Sequence, residues 1–356
     1  MQADPSRPAR GPFGTGPDTL VSVQYLRALA ALMVLVTHGV GPAGGPVQAL
    51  GAGVDLFFLI SGFIMIVTTG EQTTPRTFMI RRIVRVVPLY WLLTLLAVLT
   101  ARYIPMFHYP IAWWQALASF LFVPVASAWN PEMARPVIGL GWTLNHEMQF
   151  YALFAAALFL PCRWLPWVVG GTICLLVAAG IVLAPSSPAA AFWLDPVKLE
   201  FVAGIVVAVA WQRRVRLARL AAIFALLGAL GIGLLAAGLL GVPGNPQRPL
   251  LMGLFVPVLC LALWLEQTGR LPRWRWAMLL GDASYSIYLC QFFVLLAFAG
   301  LELRLGAPPM LRLPFVLAGG IALGLVVHFA FERPVHRALL ERLRIGRAGS
   351  TSLAPA

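Results

Sequence analysis

His38, Asp55 and Glu147 are the side chains in this sequence best suited to acid–base chemistry. A neutral imidazole can take a proton near neutral pH, and a nearby carboxylate fixes its tautomer and supports the imidazolium that forms. All three stand at the edges of long apolar runs. His38 closes VSVQYLRALAALMVLVTHGV, Asp55 opens GVDLFFLISGFIM, and Glu147 opens the run after GWTLNH. In a membrane these positions fall at similar depth, near one face, and either carboxylate could serve His38. Arg27 lies in the same run as His38, eleven positions earlier. On a helix that spacing is about 20° past three full turns and about 16 Å of rise, so one stripe carries a cation at one depth and a base at another. Taken singly, Arg27 suits snorkelling to an interface and Asp55 suits a helix cap. Their common placement with His38 favours a site. Arg81, Arg82 and Arg85 crowd RTFMIRRIVRVVPLYW at the mouth of the next run. Arginines there anchor a helix on the cytoplasmic side, and they also grip phosphates through forked hydrogen bonds.

Other chemistries find no pattern. HEMQF lacks the HExxH spacing of a zinc protease, and Cys162, Cys174, Cys260 and Cys290 are scattered, so neither a metal site nor a disulfide framework is expected. Ser61 and Gly62, and the hydroxyl-rich SYSIY at 284–288, read as small-residue helix packing.

The elements that must carry these residues are membrane helices. Of 356 residues, 60% are apolar and 11% charged, against roughly 25% charged in a soluble domain. Such a chain needs a bilayer as solvent. Crossing one takes about 20 apolar residues. Ten segments qualify, near 20–40, 52–70, 86–104, 143–160, 166–184, 197–212, 219–240, 249–265, 282–301 and 312–331. The expected fold class is an all-α, polytopic membrane helix bundle of about ten transmembrane helices. With both termini in the cytoplasm, nineteen Lys and Arg fall inside and six outside, the asymmetry that sets orientation. The net charge of +13 is thus a topology signal. Its short clusters between apolar runs exclude a nucleic-acid binder.

Residues 1–18, rich in Pro and Gly, are expected to be a disordered tail, 19–333 the transmembrane domain, and 334–356 a basic cytoplasmic tail with a short amphipathic stretch. The first apolar segment lacks a convincing cleavage site and is taken as a retained helix. The long outside segment 105–142 carries Trp113, Trp114 and Trp129 at interfacial depth, and 112–125 suits a re-entrant or surface helix.

Five blocks, in order along nearly the whole chain, resemble the acyltransferase-3 family of integral-membrane acyltransferases. They are Arg27 with His38, GVDLFFLISGF from Gly53, RRIVRVVPLYW from Arg81, WTLNHEMQFY from Trp142 and ASYSIYL from Ala283. The opening SVQYLRALAALMVL is similar to the branch that decorates bacterial exopolysaccharides. The resemblance implies a ten-helix protein of the bacterial inner membrane. It implies transfer of an acyl group, usually acetyl, from cytoplasmic acyl-coenzyme A to a hydroxyl of a polysaccharide or lipid-linked glycan. It assigns Arg27, Arg81, Arg82 and Arg85 to the coenzyme and His38, with Asp55 or Glu147, to catalysis. The family often carries a His shortly after the YSIYL block, where this chain has Cys290 and Gln291. The same helices and buried polar groups would also suit a flippase for a polysaccharide intermediate, or a non-catalytic subunit of a synthase complex.

Overall fold

The computed structural model describes residues 19–41, 47, 49–101, 111–127, 130–236 and 248–343. The expected tail 1–18, residues 105–110 and Trp129 of the outside segment, and the end of the basic tail lie outside the described residues. Within them the chain is helical, and a lone bridge between Ala126 and Ala134 forms no strand.

Every one of the ten apolar segments is a helix. They are α1 (Val21–Val40), α2 (Gly53–Val67), α3 (Pro75–Ala101), α5 (Trp142–Ala157), α6 (Leu165–Leu183), α8 (Leu199–Gln212), α9 (Leu217–Ala236), α10 (Arg248–Gln267), α12 (Ser284–Leu305) and α13 (Arg312–Val327). Among the described residues six stretches are long and apolar enough to cross a bilayer, and they contain α1, α2, α3, α6, α12 and α13. Their outward faces carry bare apolar side chains, such as Val182 at 82% exposed and Leu175 at 73%. A surface of that kind is stable against lipid and costly against water.

Shorter helices complete the chain: α4 (Trp113–Phe120), α7 (Pro188–Trp193), α11 (Arg275–Asp282) and α14 (Arg333–Arg342). α4 falls within the stretch expected to form a surface or re-entrant helix, and α14 is the amphipathic stretch of the basic tail. α7 and α11 were not foreseen, because each is too short to show a period.

Three features position the site. The N-terminus of α1 has Leu20 at its cap, which offers no side-chain acceptor. Glu266 of α10 takes that role, accepting from the Val21 amide at 2.7 Å and the Ser22 amide at 3.1 Å. A carboxylate there satisfies free amides and opposes the positive end of the helix dipole. α2 and α8 meet backbone to backbone: a Cβ on Gly62 would lie 2.1 Å from the Phe201 carbonyl, and one on Gly204 would lie 2.1 Å from the Leu59 carbonyl. Glycine is therefore required at both positions, as in close helix pairs in membranes. Finally, α3 begins eleven residues before the predicted span, so Arg81, Arg82 and Arg85 are carried inside the helix, ahead of its apolar stretch.

Two buried clusters hold the bundle. The larger is mainly aliphatic and contains an aromatic group, Phe58, Phe63, Phe154 and Phe201, between α2, α5 and α8. The smaller joins Ala31 and Leu35 of α1 to Ala283 and Ile287 at the start of α12 and Val316 of α13.

Candidate active site

A cavity of about 790 Å³, mouth included, lies between α1, α2, α3, α5 and α12. Its charged lining is Arg27, Arg82, Arg85 and Glu147, three cations and one anion, for a sum of +2. Arg27 and Arg82 are only 7% and 8% exposed. Arg27 donates from Nη2 and Nε to Ser284 Oγ, at 2.9 and 3.2 Å. The Arg82 guanidinium stands over the Phe78 and Tyr151 rings, 5.5 and 5.8 Å from their centroids. Two carboxylates near Arg27 stand outside the lining. Asp282 accepts from Gln24 Nε2 at 2.9 Å, and Glu332 accepts from Ser286 Oγ at 2.6 Å and pairs with His328 Nδ1 at 2.8 Å. Buried guanidiniums carry a desolvation cost of several kcal/mol each, which an anionic ligand offsets. The lining thus has the chemistry of a phosphate-binding chamber.

Glu147 is in this chamber and not beside His38, as its place at the edge of an apolar run had suggested. Thr143, Glu147 and Tyr151 follow one another at four-residue steps, so α5 turns all three onto the cavity. Glu147 accepts from Ser61 Oγ at 3.2 Å and from the Tyr151 hydroxyl. Of the arginine cluster, Arg82 and Arg85 line the cavity and Arg81 does not.

His38 stands beyond the cavity, in the last turn of α1. Its Nδ1 is 2.9 Å from the Val34 carbonyl, which can only accept. Nδ1 therefore carries a proton, and in the neutral ring Nε2 keeps the lone pair a general base needs. The carboxamide of Gln291 faces the ring, and Arg312 and Arg135 are its charged neighbours. Asp55 is buried in the first turn of α2 at the same end of the bundle, with Gly51 against Thr37 and Gly53 against Val34. Among the described residues no hydrogen bond or ion pair joins Asp55 to His38. The structure thus brings Arg27, Arg82, Arg85 and Glu147 together, and sets His38 apart from them at the other end of α1.

The chain matches the family model of an acyltransferase domain over residues 20–329. It belongs to the acyltransferase-3 family. Exopolysaccharide production protein ExoZ of Rhizobium meliloti (strain 1021) is 39% identical to this acyltransferase over 306 residues, 84% of the chain and 93% of that protein. Acyltransferase MdmB of Streptomyces mycarofaciens is 30% identical over 225 residues, 53% of the chain and 57% of that protein. No solved structure matches.

Several groups in this acyltransferase-3 chain were not assigned to a site from the sequence. Ser284, Tyr285 and Tyr288, expected to serve only helix packing, line the cavity. Their spacing of one and four along α12 was the available signal. Tyr285 donates to the Val86 carbonyl at 2.6 Å and holds α12 against α3. His328 and Glu332 are placed by a π-helical turn, His328–Glu332, at the edge of the last predicted span. Nothing in the composition announces such a turn. Among the described residues no group of three His, Cys, Asp or Glu is arranged to hold a metal ion.

Proposed function

We propose that this membrane acyltransferase moves an acyl group, acetyl in the first instance, from cytoplasmic acyl-coenzyme A to a hydroxyl of a cell-surface polysaccharide or its lipid-linked precursor. The observation that carries this reading is the cavity with three guanidiniums and one carboxylate, set below His38 on the stripe that α1 presents. In this reading Arg82, Arg85 and Arg27 hold the coenzyme's phosphates, with Arg81 contributing from outside the lining. The pantetheine arm then runs along α1 toward His38.

The reaction itself needs one proton moved twice. Nε2 of His38 takes the proton of the acceptor hydroxyl as its oxygen bonds to the thioester carbonyl carbon. The tetrahedral intermediate collapses, the carbon–sulfur bond breaks, and the proton passes from His38 to the leaving sulfur. The products are the ester and the free coenzyme thiol. Asp55, at His38's end of the bundle, is the carboxylate that supports the imidazolium. Glu147, held by Ser61 and Tyr151, sets the charge and shape of the donor chamber.

The cavity lining ends at Val54, Phe57, Thr143 and Tyr288 and does not include His38. Tyr288 closes that end, donating to the Leu140 carbonyl at 3.0 Å and accepting from Thr143 Oγ1 at 3.1 Å. Transfer therefore requires the Tyr288 side chain to swing aside when the acyl arm arrives.

The charge asymmetry supports ten crossings with both termini cytoplasmic, and the relatives' bacterial origin supports the inner membrane. The printed name of the ExoZ relative supports an exopolysaccharide acceptor. Deleting the protein from its host tests the reading. Mass spectrometry of surface polysaccharide and lipid-linked sugars should lose one ester, restored by the wild-type chain. An unchanged set of esters would overturn it.

A further inference from the structure

Gln291 is the one carboxamide in the described bundle that is wholly buried, has an oxygen without a donor, and faces the proposed base. Its exposure is 0%, and Oε1 has no hydrogen-bond partner. Its Nε2 donates to the Tyr288 carbonyl at 2.9 Å. That bond settles which way round the amide lies, because a carbonyl can only accept and the atom facing it must be the nitrogen. The bare atom is therefore the oxygen.

The packing of the helices places this oxygen. α1 and α12 run in the same direction: Arg27 meets Ser284 near their starts, and Leu35 and Ile287 share a buried cluster further along. Gln291 is one turn beyond Ile287, and His38 is about one turn beyond Leu35. Along α12 the residues Ser284, Tyr288 and Gln291 fall within about 60° of one another, so the face that lines the cavity continues outward to Gln291. The Gln291 carboxamide meets the His38 ring there. The charged groups around that ring are Arg312 of α13 and Arg135 in the segment before α5; Asp55 is buried in the first turn of α2, at the same end of the bundle.

We propose that Gln291 is a positioning residue for the reaction, whose Oε1 receives the Nε2–H of His38 when the imidazolium forms. The inference rests on the reading of His38 as the base. In the resting protein Nδ1 holds the ring's proton against Val34, so neutral Nε2 has no hydrogen to give to Oε1. The acceptor hydroxyl brings the missing proton. Once Nε2 takes it, the pair becomes donor and acceptor, and the bond exists only after proton transfer has begun. An interaction of that kind lowers the barrier without tightening the ground state. A buried acceptor without a donor costs on the order of 1–3 kcal/mol, and here the cost is carried by the state before reaction. A neutral amide has a further consequence. A carboxylate in the same place would hold the proton on the ring at rest and remove the base.

Two variants test this, with purified protein in lipid nanodiscs, labelled acetyl-coenzyme A and the host's polysaccharide. Gln291→Met keeps the length and burial of the side chain and deletes its polar atoms. Its kcat should fall at least tenfold, with KM for acetyl-coenzyme A within twofold, because Gln291 is outside the cavity lining. Gln291→Glu should move the rising limb of the pH–rate profile to higher pH by about a unit or more, an effect of charge that a packing role would not produce. His38→Ala is run beside them. A silent His38→Ala with a wild-type kcat in Gln291→Met removes Gln291 alone. An active His38→Ala removes the base itself. If Gln291→Glu does not assemble, judged by its elution and melting, Gln291→Met decides.

Discussion

Arg82 and Arg85 differ from Arg81 in one respect that can be measured: they line the cavity and Arg81 does not. A hydrogen bond to a charged group contributes about 1.5–3 kcal/mol, so loss of one guanidinium should weaken binding roughly tenfold or more. Arg82→Gln and Arg85→Gln should therefore raise the Kd for acetyl-coenzyme A by that factor in calorimetry, while Arg81→Gln changes it less than threefold. Equal effects at all three positions would return the cluster to membrane anchoring. The sequence identified these residues by type, and its error at Glu147 has a physical origin. Depth read from the edge of an apolar run says nothing about which way a helix turns a side chain. α5 points Thr143, Glu147 and Tyr151 at the arginines, and His146 on another face stacks on Phe192 with ring centroids 3.8 Å apart.

At the scale of helices, two contacts decide the geometry. The α2–α8 crossing has no room for a side chain at Gly204. Gly204→Val should cost about 2 kcal/mol or more by overpacking, seen as a lower melting temperature in detergent. A melting curve like that of the wild type would show that the helices sit further apart. The second contact is the closure at Tyr288. Tyr288→Phe keeps the ring and removes the ties to Leu140 and Thr143. With the end of the cavity loosened, water should reach the thioester, and coenzyme release without acceptor should rise several-fold in a thiol assay. No rise would mean that the hydroxyl does not hold the passage shut. All ten long apolar segments could be read as helices, because runs near twenty residues leave the backbone no other way to satisfy its hydrogen bonds in lipid. α7, α11 and the π turn at 328–332 could not, since six, eight and five residues carry no usable period.

The whole molecule depends on direction. If the charge asymmetry, nineteen basic residues against six, sets the orientation as proposed, the arginine chamber faces the cytosol and His38 the exterior. A green fluorescent protein fused to the C-terminus should then fluoresce, and alkaline phosphatase fused after Trp193 should be active. The opposite pair of results would put acyl-coenzyme A on the wrong side of the chamber. The family was legible in motifs that keep their order along the chain. The sequence did not supply the separation of His38 from the cavity lining, which depends on how distant segments such as Leu140, Thr143 and Tyr288 come together.

Acyl transfer by the purified chain in nanodiscs, with and without His38, tests the account most directly. Given labelled acetyl-coenzyme A and the host's polysaccharide, the wild-type protein should place label on a glycan hydroxyl. His38→Ala, recovered in equal amount and still binding the coenzyme, should do so at least a hundredfold more slowly. Transfer by His38→Ala within a few-fold of the wild-type rate would contradict the account.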